Sequence, residues 1–248
     1  MATSNQPRRT LLLTGASRGI GHATVKRFSA AGWRVITCSR HPFPENCPWE
    51  AGPEDHIQVD LSDPENTEAA IAETKNRLNG ELHALVNNAA ISPKAAGGKR
   101  LGSIETSRDD WHHIFQVNFF APIMLARGLL DELKAAKGSV VNVTSIAGSH
   151  VHPFAGSAYS TSKAALSALT REMAVELAEI GVRVNAIAPG EIETAMLSPE
   201  TEVLIPRIPL HRLGQPEDVA SAIFYLCSAE ASYVTGTEIF VTGGQHLY

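Results

Sequence analysis

The alternation of short apolar runs with longer helical patterns constrains the fold of this chain more than any other feature of its sequence. Seven short runs, most of them aliphatic, are predicted to be strands, at positions 10–14, 34–38, 57–59, 84–87, 139–144, 183–187 and 238–241. Patterns with helical periodicity predict helices at 19–31, 64–78, 108–136, 159–180 and 216–227. Strands that alternate with helices imply βαβ units and a parallel sheet, and continuous apolar strands imply that both sheet faces are covered. We therefore predict an α/β protein with a three-layer, doubly wound fold and a mostly parallel, seven-stranded sheet.

Two stretches break this alternation. Residues 41–55, HPFPENCPWEAGPED, contain four prolines, which remove amide donors and block helix interiors, so a loop is predicted there. Residues 92–107 are rich in small residues and are predicted to form a surface loop beyond the carboxyl end of a strand, where ligands bind in such folds. Because the chain shows no linker, charge block or repeat, we expect a flexible N-terminus at 1–8 and a single domain over 9–248.

Charge and cysteine content exclude several functions. The chain has 21 Lys and Arg against 26 Asp and Glu, a net charge of −5, so no basic field is available to bind nucleic acid. The three cysteines, Cys38, Cys47 and Cys227, have no CxxC spacing, which argues against a disulfide framework or a structural metal. The N-terminus lacks the apolar core of a signal peptide and the apolar runs are too short for a membrane span. We expect a soluble cytoplasmic protein with a small-molecule substrate and no metal, membrane or nucleic-acid partner.

A glycine-rich turn follows the first predicted strand. Residues 11–21, LLLTGASRGIG, lead from the strand through the turn into the first predicted helix. Glycines let backbone amides approach a pyrophosphate, and a helix N-terminus attracts negative charge. Glycines also make ordinary tight turns, but the position after the first strand of a βαβ unit favours a dinucleotide site and a Rossmann fold.

The end of the second predicted strand bears on which dinucleotide binds. An acidic residue about 20 positions after the glycines commonly binds the ribose of NAD, whereas this chain has Ser39 followed by Arg40, and Arg18 inside the glycine turn. Arginine makes charge-assisted contacts to phosphate, so two of them favour the 2′-phosphate of NADP. The alternative is that either arginine is simply solvated.

Tyr159 and Lys163 in the run YSTSK are one helical turn apart and on one face. A cation beside a phenol lowers its pKa, which would let Tyr159 exchange a proton near neutral pH. The alternative is a chance pair on an amphipathic helix. Ser145 ends a strand that points to the same edge of the sheet, and a turn-forming serine is its alternative. Asn87, which follows a strand, and Asp60 are candidates for the cofactor side of the site. For both, the alternative is that the side chain only shapes a turn.

Taken in order, these motifs resemble the short-chain dehydrogenase/reductase family, in its short single-domain branch, over about residues 10–244. The resemblance rests on the order and spacing of motifs that are each modest alone. They are Thr14-Gly15-x-x-x-Gly19-Ile20-Gly21, Asn87-Asn88-Ala89, Asn118, Ser145, Tyr159-x-x-x-Lys163, Ile208-Pro209-Leu210 and Gly214-Gln215-Pro216-Glu217-Asp218-Val219-Ala220. The overall pattern is similar to that of 3-oxoacyl-carrier-protein reductases.

The resemblance implies hydride transfer between a carbonyl and a secondary alcohol, with NADP(H) favoured and NAD(H) as the other cofactor. It implies that Tyr159 is the general acid or base and that Lys163 lowers its pKa and holds the nicotinamide ribose. Ser145 would bond the substrate oxygen, where charge develops, and Asn118 would position a water in a proton relay. The cofactor residues that it implies are Gly15, Ser17, Arg18, Gly19, Ile20, Gly21, Ser39, Arg40, Asp60, Leu61, Asn87, Ala89, Tyr159, Lys163, Pro189, Gly190, Ile192 and Thr194.

Some details depart from the family pattern. Ala90 stands where Gly is usual, and the spacing from Ser145 to Tyr159, 159 − 145 = 14, is one residue longer than is typical. The extra residue puts the loop 149–157 in doubt, but not the catalysis. His150, His152 and Phe154 in that loop could line the substrate side, although a histidine pair on a loop is more often a surface feature than a ligand pair. The family also implies a homo-oligomer, a tetramer or a dimer, although helices packed on their own sheet explain the same apolar pattern.

Several functions remain open to the sequence. The first is an NADPH-linked reductase of a 3-oxoacyl thioester or another ketone. Alternatives are an NAD-dependent alcohol dehydrogenase for sugars, polyols or hydroxysteroids, and an isomerase or dehydratase that keeps its cofactor. A non-catalytic dinucleotide-binding regulator is opposed by the intact Asn118, Ser145, Tyr159 and Lys163, which a binding module does not need. The substrate and the direction of reaction are not set by the sequence.

Overall fold

The secondary structure comes from a computed structural model that describes residues 8–43 and 52–248. The strands are β1 (Thr10–Thr14), β2 (Arg34–Ser39), β3 (His56–Gln58), β4 (Ala84–Asn87), β5 (Ser139–Val143), β6 (Arg183–Pro189) and β7 (Glu238–Val241). The α-helices are α1 (Gly19–Ala30), α2 (Pro64–Arg77), α3 (Arg108–Phe115), α4 (Ala121–Gly128), α5 (Leu130–Ala136), α6 (Ser157–Ala178) and α7 (Pro216–Cys227). A π-helix spans Gln116–Phe120, and 3₁₀ helices span Pro53–Asp55, Ala96–Gly98, Ile146–Gly148, Pro199–Arg207, Ala229–Ala231 and Gln245–Leu247.

The seven strands form one parallel sheet in the order β3-β2-β1-β4-β5-β6-β7. Leu12 at the centre of β1 pairs with Ile36 on β2 and with Leu85 on β4. The strand order reverses between β1 and β4, and ligands bind at the carboxyl ends of the strands beside such a reversal. The order and the parallel pairing confirm the predicted doubly wound Rossmann fold.

Helices cover both faces of the sheet, as continuous apolar strands require. Successive side chains of a strand point to opposite faces, so Leu12 belongs to one core cluster while Leu11 and Leu13 belong to the other. The first cluster includes residues of α2, α4, α5 and α6, and the second includes residues of α1 and α7. In the second, the Phe28 ring packs edge-on against Phe224 at 5.0 Å.

The single helix predicted at 108–136 is wrong, because the segment is broken twice. The π-helix Gln116–Phe120 separates α3 from α4, and the chain bends by 62° between Arg108–Gly128 and Leu130–Ala136. We attribute the first break to Asn118, whose buried side chain bonds both the amide and the carbonyl of Ile91 at 2.9 and 3.0 Å. Pro122 then lacks an amide to continue the ladder. The break thus depends on a contact that periodicity does not encode.

The other predicted elements are confirmed to within one or two residues. One difference matters for the site: α6 begins at Ser157 rather than at position 159, so Tyr159 lies in its first turn. A flexible N-terminus was predicted at residues 1–8, and residues 1–7 lie outside the described ranges. Most of the proline-rich loop, 44–51, and Cys47 are outside them as well.

Cys38 and Cys227 are buried free thiols, and burial raises the pKa of each to about 12. Across the described residues, no single helix has the length and apolarity of a membrane span, and the bent pair Arg108–Gly128 and Leu130–Ala136 meets that standard only when its two parts are joined.

The edge strand β7 is tied to the middle of the molecule by Glu238. One carboxylate oxygen accepts a hydrogen bond from Thr144 at 2.6 Å, and the other accepts one from Ser167 of α6 at 2.8 Å. Thr144 directly precedes Ser145, and Ser167 lies one turn after Lys163. The position of β7 is therefore coupled to the two elements that carry these side chains.

Candidate functional site

A cleft of about 460 Å³ opens at the carboxyl ends of the strands, beside the point where the strand order reverses. Most of the residues that the sequence predicted for a site line this cleft together. They are Gly15, Ser17, Arg18, Gly19, Ile20, Gly21, Ser39, Arg40, Asp60, Leu61, Ala89, Ser145, Tyr159, Lys163, Pro189, Gly190, Ile192 and Thr194. Asn87 and Asn118, also predicted, lie buried behind its wall.

The glycine turn after β1 forms one end of the cleft, and the atoms packed around Gly15 and Gly21 leave no room for side chains there. A Cβ on Gly21 would lie 2.1 Å from the carbonyl oxygen of Gly15, far inside contact distance. Gly15 itself has a φ of +69°, which side chains rarely adopt. Asn88 fixes the turn by donating from Nδ2 to the carbonyls of Thr14 and Gly15, each at 3.0 Å. The first turn of α1 begins at Arg18 without a side-chain cap, so its backbone amides can meet an anion.

Two arginines and a carboxylate surround the cleft near the end of β2. Arg18 and Arg40 are exposed, and within residues 8–43 and 52–248 neither guanidinium has a hydrogen-bond or ion-pair partner. Asp60 accepts a hydrogen bond from the Ser62 amide at 3.0 Å. This bond is the main cause that lowers the pKa of Asp60, and the charge of Arg40 adds to it. Ser39 donates its hydroxyl hydrogen to the His41 carbonyl at 3.0 Å.

Ser145, Tyr159 and Lys163 meet on the opposite wall. Ser145 follows β5 and caps the 3₁₀ turn Ile146–Gly148, accepting a hydrogen bond from the Ala147 amide at 3.2 Å. That turn packs closely on α6, since a Cβ on Gly148 would lie 2.9 Å from the Ala164 nitrogen. The ammonium of Lys163 is 5.9 Å from the centre of the Tyr159 ring.

Burial dominates the protonation of this group. It lowers the pKa of Lys163, which is 1% exposed, to about 7. It also raises the pKa of Tyr159; the charge of Glu191 raises it further, while the hydrogen bond with Ser145 opposes the shift. Lys163 is not among the causes of this shift, so its lowering of the Tyr159 pKa stays a prediction. The Lys163 ammonium is held by the Val143 carbonyl at 2.6 Å.

The side chains of Asn87 and Asn118 are buried and are not among the residues that line the cleft. Asn87 turns inward and donates to Oδ1 of Asn142 at 2.9 Å. Asn118 uses its amide for Ile91 and for the Ser162 hydroxyl at 3.0 Å. Both asparagines therefore hold neighbouring backbone and side chains in place, and neither side chain is available at the cleft surface.

The segment after β6 closes the remaining side. Pro189, Gly190, Ile192 and Thr194 line the cleft as predicted. Thr194 comes close to the glycine turn, since a Cβ on Gly19 would lie 3.0 Å from its methyl group. The two ends of the predicted cofactor site are thus in contact.

Glu191 was not assigned a role from the sequence, whereas His152 was a candidate for the substrate side and Lys94 a basic residue that could meet an anionic carrier or simply be solvated. Glu191 is 6% exposed and is hydrogen-bonded to Nε2 of His152, and Lys94 also lines the cleft. The signal in the sequence was an acidic residue two positions after the apolar strand β6, in PGEIET. In the part of the chain described, no three His, Cys, Asp or Glu side chains cluster as a metal site requires.

Comparison with known proteins agrees with this geometry. A family model described as "Enoyl-(Acyl carrier protein) reductase" matches residues 15–246. Protein FixR of Bradyrhizobium diazoefficiens is 63% identical over 242 residues, covering 96% of this chain and 87% of that protein. The 3-oxoacyl-[acyl-carrier-protein] reductase FabG of Aquifex aeolicus is 34% identical over 248 residues, covering 94% of this chain and 95% of that protein.

A solved structure has about the same sequence identity to this chain as protein FixR. It is an oxidoreductase of the short chain dehydrogenase/reductase family from Brucella ovis, in complex with a partially ordered NAD. It is 64% identical to this chain, with a TM-score of 0.83, and the match covers 95% of this chain and all of that one.

Proposed function

Because this chain belongs to the short-chain dehydrogenase/reductase family, whose members are NAD(P)-dependent oxidoreductases, we propose that it reduces a ketone to a secondary alcohol, reversibly, with NADP(H) as its preferred cofactor. The observation that carries the proposal is the placement of Ser145, Tyr159 and Lys163 across one cleft from the glycine turn. When bound, the nicotinamide supplies the hydride.

The glycine turn fits a dinucleotide. A side chain at Gly21 would fill the space under the turn, and the uncapped start of α1 offers amides to a pyrophosphate. The residues proposed to hold the cofactor are Gly15, Ser17, Arg18, Gly19, Ile20, Gly21, Ser39, Arg40, Asp60, Leu61, Ala89, Tyr159, Lys163, Pro189, Gly190, Ile192 and Thr194. Asn87 is proposed to act only by supporting this wall, through Asn142.

The preference for NADP rests on Arg18 and Arg40. Their guanidinium groups have no partner in the described ranges, and such groups bind phosphate well. Ser39 stands where an acidic residue would oppose a 2′-phosphate. The Brucella ovis relative was solved with NAD, so an NAD-linked alcohol dehydrogenase is the competing proposal.

Three side chains are proposed to carry the chemistry. Tyr159 gives a proton to the carbonyl oxygen in reduction and takes one from the alcohol in oxidation. Ser145 donates a hydrogen bond to the same oxygen as negative charge develops on it. Lys163, with a pKa of about 7, holds or releases a proton near neutral pH behind Tyr159.

Asn118 is proposed as a positioning residue. Its side chain is fully engaged with Ile91 and Ser162, so it supports the wall of the cleft and the start of α6. The relay water that the family resemblance assigns to Asn118 is not assigned to its side chain.

The proposed substrates include 3-oxoacyl thioesters, on which the similar FabG proteins act by name, and other ketones. The test has two parts: fluorescence titration of the purified protein with NADPH and NADH, then a spectrophotometric screen of ketones with the cofactor that binds tighter. Tight NADPH binding with turnover of a ketone supports the proposal. If either cofactor binds but no ketone or alcohol is turned over, the chain would be a non-catalytic dinucleotide-binding protein and the proposal would fail.

A homo-oligomer, a tetramer or a dimer, is also proposed. Phe120 beside α4 and Val175 on α6 are 48% and 76% exposed, which leaves apolar area for a second copy. Light scattering of the purified chain would give its mass, and a monomer at micromolar concentration would contradict the proposal.

A further inference from the structure

Two loops that flank the cleft beyond Tyr159 are tied to each other. The Arg100 guanidinium donates from Nε to the Ala155 carbonyl at 2.9 Å, and the Ser157 amide donates to the Leu101 carbonyl at 3.0 Å. The ammonium of Lys94 donates to the Phe154 carbonyl. The two loops therefore form one fixed wall, and Lys94 is held in a set position on it.

The same wall fixes the charges around Lys94. Nδ1 of His152 accepts hydrogen bonds from the Phe154 and Ala155 amides, each at 3.2 Å. Its other nitrogen therefore carries the hydrogen and donates to Glu191. Glu191 also accepts from Gln245 at 3.4 Å. Both of these hydrogen bonds end on Oε1 of Glu191, and Lys94 makes neither of them.

Lys94 brings a cation to the cleft without a contacting anion. It is half-buried and lines the cleft, and across residues 8–43 and 52–248 no carboxylate comes within ion-pair distance of it. An ammonium has three donors, and within the part of the chain that the structure describes only the bond to Phe154 is made. Burial lowers the pKa of Lys94, and the charge of Glu191 opposes that shift.

Two buried hydroxyls also face the cleft. Ser198 and Thr201 line it and are 8% and 2% exposed. Neither Ser198 Oγ nor Thr201 Oγ1 has a hydrogen-bond partner among the described residues. Buried polar atoms are nearly always paired in native proteins, so these hydroxyls indicate a polar ligand.

We propose that the substrate is a short oxo acid, or the matching hydroxy acid, whose carboxylate is bound by Lys94; the free hydroxyls of Ser198 and Thr201 favour a polar substrate over a long apolar chain. This narrows the proposed function and rests on it. The carboxylate takes no part in the reaction: the carbonyl group gains one hydride and one proton, and no bond to the carboxylate forms or breaks. A long neutral acyl chain would leave the Lys94 ammonium without an anionic partner.

The alternative role for Lys94 is to tie the two loops together and nothing more. A structural tie would affect every substrate alike, whereas a carboxylate partner affects only the charged one. The matched pair 3-oxobutanoate and 3-oxobutanamide separates these roles, because the two compounds have nearly the same size. Lys94→Met removes the charge, Lys94→Arg keeps it, and Lys99→Met on the exposed part of the same loop is the control.

The experiment measures kcat and KM for both compounds, with 3-oxobutanoyl-coenzyme A as a third substrate. We expect the wild type to prefer the carboxylate roughly tenfold in kcat/KM, since charge-assisted bonds are about twice as strong as neutral ones. Lys94→Met should raise KM for the carboxylate by a similar factor and leave the amide within twofold. Lys94→Arg should restore the preference, and Lys99→Met should not alter it.

Two kinetic outcomes would overturn the inference: an equal loss for both compounds in Lys94→Met, or a tenfold preference for the coenzyme A thioester. A binding measurement keeps the inference separate from the proposed function. Calorimetric titration of the protein with NADP⁺ present should show butanoate binding at least tenfold tighter than butanamide. This difference should be present in the wild type and in Lys94→Arg and absent in Lys94→Met. Equal binding of the two overturns the inference, whereas absence of all ketone turnover with the cofactor bound overturns the proposed function.

Discussion

The ammonium of Lys163 donates a hydrogen bond of 2.6 Å to the main-chain oxygen of Val143 at the end of β5. One bond to a neutral carbonyl does not repay the loss of hydration of a buried charge, which is why the pKa of Lys163 is lowered to about 7. The residue is thus a candidate for proton exchange and also a pH-dependent element of stability.

The first prediction concerns that stability. The unfolded pKa of lysine is about 10.4, so between pH 7 and 10 the unfolded chain binds more protons at this residue than the native one. Its contribution to the free energy of unfolding therefore rises with pH in that window and is smallest below pH 7. From pH 7 to pH 9 the wild type should gain about 2 kcal/mol over Lys163→Met in urea unfolding. Lys134→Met on the exposed face of α5 is the control, and a difference that stays constant with pH would contradict the assignment.

The second prediction concerns catalysis. Tyr159→Phe removes only the proton-carrying oxygen, so turnover should fall by ~10²–10⁴-fold, while the fold remains and cofactor affinity falls far less than turnover. Circular dichroism and NADPH titration check the last two. Tyr233→Phe is the control, because Tyr233 is fully exposed. Undiminished turnover of a folded Tyr159→Phe protein would remove Tyr159 from the proposed mechanism.

The third prediction uses the charge of Glu191. After burial, this carboxylate is a further cause of the raised pKa of Tyr159, because it disfavours the phenolate. Glu191→Gln keeps the shape and the acceptor for His152 but removes the charge, so the pKa of Tyr159 should fall. In alcohol oxidation, the rate rises with pH as the Tyr159 phenolate forms. This limb of the pH–rate profile should therefore move to lower pH in Glu191→Gln. Glu193→Gln, which changes an exposed neighbour, should leave the limb in place, and an unmoved limb in Glu191→Gln would show that the charge does not act on Tyr159.

The fourth prediction concerns cofactor choice. Arg40→Ala should weaken NADPH binding about tenfold, the size of one lost charge-assisted bond, and should leave NADH within twofold. Fluorescence titration measures both. Arg127→Ala on the exposed side of α4 is the control. An equal loss for the two cofactors would mean that Arg40 does not contact a 2′-phosphate.

The fifth prediction concerns the glycine turn. Gly21→Ala places a methyl group 2.1 Å from the Gly15 carbonyl oxygen, so the turn must shift. We expect loss of cofactor binding and a decrease of about 1–3 kcal/mol in unfolding free energy. Gly80→Ala has a φ of +78° but nothing within 4 Å, so it isolates backbone strain from crowding. Normal cofactor affinity in Gly21→Ala would contradict the role of this close contact.

The sequence predicted the sheet and the glycine turn because their signals are local. Buried parallel strands appear as apolar runs such as Leu11, Leu12 and Leu13, and a turn that needs close backbone approach appears as glycine. These signals suffice to place the carboxyl ends of the strands, and with them the cleft.

What the sequence did not predict depends on contacts between distant residues. The break in the predicted helix at 108–136 follows from Asn118 binding Ile91, 27 residues away. The pair of His152 and Glu191 forms only when the loop before α6 packs on the end of β6, across 39 residues. The upward shift in the pKa of Tyr159 likewise comes from burial in the assembled cleft, which the spacing of Tyr159 and Lys163 does not encode.

Glu238 accepts hydrogen bonds from Thr144 and Ser167. These bonds link the catalytic side of the cleft to β7, so that side opens more easily in local unfolding than the side formed by the glycine turn. Edge elements exchange their amide hydrogens through smaller unfolding events than central ones, and β7 is at the edge while β1 is central. A fluctuation that detaches β7 releases Thr144 beside Ser145 and Ser167 beside Lys163, while the glycine turn after β1 keeps its neighbours. Under mild denaturant the protein should therefore lose turnover before it loses the dinucleotide, with amide exchange in β7 reporting the event.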